Sequence, residues 1–96
     1  MATYVIAQVK LKNPEKFAAY GKAAGPTIAD HGGELIIRAP NLEVLTGKAD
    51  FDRCVVIKFP DAESARAWYQ SEAYQAAIPM RDEGANVVFT LAQEAS

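Results

Sequence analysis

Apolar and polar side chains alternate along residues 3–11, with Val5, Ala7, Val9 and Leu11 on one side and Tyr4, Ile6 and Gln8 on the other. A period of two is the spacing of a β-strand. Asn13-Pro14-Glu15 then starts a helix: Asn13 can cap it, Pro14 suits the first helical position, and Glu15 complements the helix dipole. Phe17, Gly21, Ala24 and Ile28 follow at steps of four, three and four, an amphipathic stripe. Gly25-Pro26 interrupts that stripe and predicts a kink or restart near Pro26. Gly32-Gly33 ends the helical region. Residues 34–39 form a short strand centred on Leu35, Ile36 and Ile37, closed by the turn at Pro40-Asn41. Glu43-Val44-Leu45 predicts a further short strand or edge extension, ended by Gly47. The clearest strand is 53–59, with Val55, Ile57 and Phe59 on one face and Cys54 and Val56 on the other. Pro60-Asp61 stops it, and Asp61 caps a helix through Ala65, Trp68 and Tyr69. Ser71 caps a second short helical piece with Tyr74 and Ile78, predicted to break at Pro79, and Gly84 closes that region. Asn86 to Leu91 is a last strand, Val87, Phe89 and Leu91 alternating with Val88 and Thr90.

The order β-α-β-β-α-β defines an α+β chain of the split βαβ, ferredoxin-like kind, a single domain over residues 1–96. A four-stranded antiparallel sheet then carries the two main helical regions on one face, because right-handed crossovers place both on the same side. The opposite face should be polar if it meets water. Tyr4, Ile6, Cys54, Val56 and Val88 make it apolar instead. Burial is worth about 25 cal/mol per Å² of apolar surface. The simplest cover is a second copy, which predicts a two-fold homodimer with sheets packed face to face. The alternative is a monomer with a moderately apolar open face.

Composition changes this picture little. Among 96 residues, ten Lys and Arg stand against twelve Asp and Glu, a net charge of −2 without basic clustering, which argues against a nucleic-acid partner. No apolar run approaches the roughly 20 residues of a membrane helix. The start, Met1-Ala2-Thr3-Tyr4, has no basic region of the kind that opens a signal peptide. Cys54 is the only cysteine, so no internal disulfide forms and the expected compartment is the cytoplasm.

Candidate chemistry starts with His31-Gly32-Gly33, the only histidine beside a glycine pair at a helix-to-strand turn. His31 reads either as a candidate general acid or base, or as a residue whose partial positive charge suits the end of its own helix. The glycines follow a helix and so are not a phosphate loop, which precedes one. Tyr20, Trp68, Tyr69 and Tyr74 lie on helical segments and read as core or as the wall of a pocket between helices and sheet. Arg38, Arg53 and Arg81 can each grip a carboxylate with a forked guanidinium, or sit as solvated surface charges. No metal-ligand spacing occurs, Cys54 reads as a buried thiol, and Ser71 reads as a helix cap. No cofactor is expected; haem is the one kept for a spectroscopic check, since a single histidine suffices as an axial ligand.

Tyr20, His31-Gly32-Gly33, Gly47, Arg53, Phe59-Pro60, Ala65, Trp68, Ser71, Tyr74-Gln75 and Arg81 occur in an order that resembles the domain-of-unknown-function family 1330, within the dimeric α/β-barrel superfamily. The likeness runs from about Tyr4 to Leu91 and departs at Asn13, where aspartate is common. It implies a ferredoxin-like fold and a homodimer, and no settled activity. Superfamily relatives include cofactor-independent monooxygenases, lactone isomerases and haem-binding enzymes, a fold-level analogy only. Two functions follow as expectations. One is a cofactor-independent enzyme acting on a small carbonyl or phenolic compound in a pocket between sheet and helices. There His31 is acid/base or polar anchor, Tyr20 and Tyr69 are hydroxyl donors, Arg53 or Arg81 is an anion clamp, and Trp68 or Tyr74 is a wall. The other is a non-catalytic dimer that binds a small anionic or carbonyl ligand.

Overall fold

Strand β1 (Thr3–Leu11) lies inside a four-stranded sheet, where its period-two pattern buries Thr3, Val5, Ala7 and Val9 and leaves the intervening residues half-buried. The structure is a computed structural model that describes residues 1–95. The remaining elements are α1 (Pro14–Ala29), β2 (Glu34–Pro40), β3 (Arg53–Phe59), α2 (Ala62–Gln70), α3 (Glu72–Gly84) and β4 (Ala85–Gln93). The sheet order is β2-β3-β1-β4 and each neighbouring pair is antiparallel. This is the ferredoxin-like arrangement, with the second helical region divided in two.

Local chemistry explains the boundaries. The Asn13 side chain accepts a hydrogen bond from the Lys16 amide at 3.2 Å, and Pro14 occupies the first turn of α1. Asp61 caps α2 in the same way through the Ser64 amide at 2.7 Å. That bond holds the Asp61 carboxyl below the usual aspartate range. Ser71 alone joins α2 to α3: its hydroxyl donates to the Trp68 carbonyl at 2.7 Å and accepts from the Tyr74 amide at 3.3 Å.

Neither internal proline breaks its helix. The restart expected as one alternative at Pro26 and the break expected at Pro79 do not occur, and α1 and α3 run through them. Both prolines lie on exposed faces. The carbonyl each leaves without a helical donor is therefore open to water.

The strand expected at Glu43-Val44-Leu45 does not form. Residues 41–52 are almost wholly exposed irregular chain that turns at Gly47, φ +86°. Its last residue alone is held to β1 by backbone, the Asp52 amide donating to the Val9 carbonyl at 2.7 Å. The segment is also tied at its ends by the Asn41 amide to the Asp52 carbonyl at 2.7 Å and by the Leu11 amide to the Asp52 carboxylate at 2.7 Å.

The core lies between the helices and the face of the sheet that bears Val5, Ile57 and Phe59, and its largest buried side chains include Trp68, Tyr74 and Phe59. The strand register sorts the other face into cross-strand rows. The central row runs Ile37, Val56, Ile6, Thr90, and the next runs Ala39, Cys54, Gln8, Val88. None of these side chains is fully buried within the chain, and Val88 is 50% exposed.

Strand β2 carries one irregularity. Leu35 pairs with Ile57 while Ile37 pairs with Val56, so Ile36 is an extra residue, a β-bulge. In a regular strand Leu35 and Arg38, three apart, would face opposite ways. The bulge puts both on the helix side.

Candidate functional site

The His31 turn is built by its glycines. Gly32 has φ +74°, a conformation that disfavours any Cβ. A Cβ on Gly33 would lie 2.6 Å from Ile28 Cγ2 and from the Phe59 ring, so only glycine lets the turn close on the core. The Gly33 amide donates back to the Ile28 carbonyl at 2.9 Å. His31 itself turns toward its own helix. Its Nδ1 lies 3.0 Å from the Thr27 carbonyl and must carry the proton there, since a carbonyl only accepts. The ring is part-exposed and lines neither of the grooves described below.

Tyr20, Tyr69, Tyr74 and Arg81 do meet. The Tyr20 and Tyr74 hydroxyls share a hydrogen bond of 2.8 Å, and Arg81 Nη1 donates to Tyr74 at 3.1 Å and to Tyr69 at 3.2 Å. Arg81 Nε reaches Asp82 at 3.0 Å, and the guanidinium lies over the Phe89 ring at 5.2 Å. Trp68 stacks against this group, 4.4 Å from the Tyr74 ring, and its indole N–H donates to the Thr27 hydroxyl at 3.0 Å. Burial pushes the Tyr20 hydroxyl far above the ordinary tyrosine range, and the adjacent Tyr74 hydroxyl adds to the rise. Burial raises Tyr74 as well, against the opposing hydrogen bonds from Tyr20 and Arg81. For Arg81, burial works against the charge, but the bonds to Tyr69, Tyr74 and Asp82 outweigh it and raise its pKa. At neutral pH Tyr74 and Tyr20 are therefore neutral phenols beside a charged guanidinium. No buried side-chain nitrogen or oxygen among the described residues lacks a partner. The arrangement is a satisfied polar network joining α1, α2 and α3, and neither buried phenol is a ready base.

Two grooves flank the network. One, of about 410 Å³, lies between α2 and β4; Tyr69, Arg81, Arg66 and Phe89 line it. The other, of about 460 Å³, lies under α1 against β1, β3 and β2. Its walls are mainly apolar, among them Phe17, Ile28, Leu35, Val55 and Ile57. Its charged residues are Lys22, Arg38 and Arg53, and no carboxylate or imidazole lines it. The Arg53 guanidinium lies over the Phe17 ring at 5.9 Å. The α1 wall includes Gly21 and Gly25, and a Cβ on either would meet nothing within 4 Å. A helix glycine costs about 1 kcal/mol against alanine. At Gly21 neither backbone conformation nor crowding calls for it, while Gly25 also eases the helical conformation before Pro26, and both glycines give the cleft width.

The predicted site residues thus divide between places. Tyr20 and Arg53 line the α1 groove, Tyr69 and Arg81 line the α2–β4 groove, and Trp68 borders both. Tyr74 is fully buried between them, and His31 stands apart at the end of α1. Lys22, Gly21 and Gly25 were not singled out as site residues by sequence, and Arg38 only as one of three arginines. The glycine pair on an otherwise good helix was the available signal. No group of three or more potential metal ligands occurs among the described residues.

Comparison with known proteins agrees with this fold. A protein of unknown function from Rhodopseudomonas palustris superposes with a TM-score of 0.83 at 18% identity, over 99% of this chain and 83% of that one. A dimeric ferredoxin-like protein of unknown function from Jannaschia sp. CCS1 gives 0.79 at 10% identity, over 98% and 100%. SnoaB, a cofactor-independent oxygenase from Streptomyces nogalater, gives 0.72 at 9% identity, over 99% and 94%. At these identities the likeness shows the fold. No curated protein matches. The family profile described as Domain of unknown function (DUF1330) matches residues 2–95, and the chain belongs to that family.

Proposed function

We propose that this chain forms a homodimer through its open sheet face and binds a small molecule in the α1 groove. The observation that carries the reading is the groove itself: an apolar cleft with several cations and no acid, bordered by Tyr20 and Trp68. Its volume, about 460 Å³, falls in the range of small-molecule sites. Dimerisation draws support from the half-exposed apolar rows and from the dimeric neighbour.

A second reading is catalysis without a cofactor, as in the Streptomyces neighbour. The cations favour it, because positive charge beside a bound enol or phenol lowers that substrate's pKa and stabilises its anion. The protein's part is then electrostatic, and His31 supplies no base within the groove. Oxygen uptake with a panel of phenols and enolisable ketones separates turnover from binding alone.

The groove is tested by thermal shift and Trp68 fluorescence with a panel of small aromatic acids and phenols. Binding should raise the melting temperature of the wild type by mass action. Gly21→Ala should stabilise the free protein by about 1 kcal/mol through helix propensity. Gly21→Leu, which has room to fold, should fill the cleft and remove the ligand shift. A shift that persists in Gly21→Leu would move the site elsewhere, and a panel without any shift would remove the binding reading.

A further inference from the structure

We infer that the α1 groove selects a carboxylate on an apolar or aromatic body, held between Arg38 and Arg53. This rests on the groove being a binding site and adds the class of ligand.

Charge gives the first argument. The chain is net negative at −2, yet the charged residues of this groove are Lys22, Arg38 and Arg53 alone. Of the cations outside it, Lys10 pairs with Asp50 and Asp52, Lys16 with Glu83 and Arg81 with Asp82, while Lys12, Lys48, Lys58 and Arg66 stand exposed on other surfaces. Neither Arg38 nor Arg53 forms an ion pair among the described residues.

Register gives the second. Arg38 lies opposite Val55 and Arg53 lies opposite Pro40, so the two arginines are diagonal neighbours on one face of adjacent strands. Such positions are about 7–8 Å apart along the backbone. Long side chains from both can converge on one planar oxyanion. Without an anion the two charges only repel. The bulge at Ile36 lets Leu35 and Arg38, three residues apart, share this face, where Arg38 pairs with Val55. Arg53 is steadied over the Phe17 ring.

The walls give the third. Leu35, Val55, Ile57 and Ile28 surround the arginines with apolar surface, which offers a polar or sugar-like body no partners. A forked guanidinium matches a carboxylate bidentately. A flat, apolar carboxylate therefore satisfies both the walls and the charges.

The test uses naphthoate and its neutral analogue naphthylmethanol, followed by titration calorimetry on the intact protein. Wild type should bind naphthoate at least about tenfold tighter than the alcohol, the discrimination expected of charge-assisted hydrogen bonds. Arg38→Gln and Arg53→Gln should each lose about that factor for naphthoate and keep the alcohol affinity, which also certifies that the variants fold. Equal binding of acid and alcohol by wild type would overturn the arginine clamp and leave the groove standing. Binding of neither would overturn the groove and the clamp together. A loss seen in Arg81→Gln but in neither strand variant would place the acid in the α2–β4 groove and overturn the proposal.

Discussion

Tyr20 and Tyr74 face each other where ionisation is expensive, and this has a measurable sign. Burial, the largest cause for both, raises their pKa values above the ordinary 10.0. A hydroxyl raised on folding contributes stability that is complete below the unfolded value, near pH 10, and is lost as pH rises above it. The loss per tyrosine approaches about 1.4 kcal/mol for each pH unit. Urea unfolding measured at several alkaline pH values should show a stability slope in wild type that is shallower in Tyr20→Phe, because one titrating group is gone. Identical slopes would mean that these phenols are not held neutral by the fold. The same pair shows what a sequence conceals. The helical stripe drawn through Phe17, Gly21, Ala24 and Ile28 puts Tyr20 beside it, whereas the buried residues of α1 are Tyr20, Ala24 and Thr27. Gly21 counts as stripe and Gly25 as its interruption in the sequence, and both line the cleft in the fold. His31 held the opposite surprise, since its type drew attention and its geometry ties it to Thr27.

Element order was legible because each boundary carries local chemistry: Asn13, Asp61 and Ser71 cap as their side chains require. The bulge in β2 was not legible. Leu35, Ile36 and Ile37 are all apolar and branched, so either register buries similar surface, and only the pairing with β3 decides. That pairing yields a contrast between two length variants. Deleting Ile36 leaves Leu35 and Ile37 opposite the adjacent residues Ile57 and Val56, as in a regular ladder. Arg38 then stays on the groove face, and naphthoate affinity should match wild type. Inserting one alanine between Ile37 and Arg38 pushes Arg38 to the opposite face, with the extra length absorbed by the exposed segment 41–52. Affinity should then fall about as far as in Arg38→Gln. Reversed outcomes, measured by the same calorimetry with circular dichroism as the folding control, would refute the assigned register.

At the scale of the molecule, two-faced strands foretold a sheet whose second face is apolar and only part-buried, because alternation assigns each side chain to a face without knowledge of the helices. The groove could not be foretold. It exists because the helices leave β2 uncovered: β2 is almost entirely exposed, and its Leu35 and Arg38 form the groove's outer wall. Helix placement is a packing outcome that no local pattern encodes. The proposed dimer and the groove use opposite faces of one sheet, which makes them separable. Val56 stands in the central row of the open face, between Ile37 and Ile6. Lysine there would set two like charges against each other across a two-fold axis in an apolar interface, a costly placement. Light scattering at micromolar concentration should therefore find a dimer in wild type and a monomer in Val56→Lys. A wild-type monomer would end the dimer proposal. Arg38 and Arg53 lie on the sheet face opposite Val56, so the Val56→Lys monomer should still bind naphthoate with wild-type affinity. If binding disappears with dissociation while the monomer keeps its circular dichroism, a second chain completes the site.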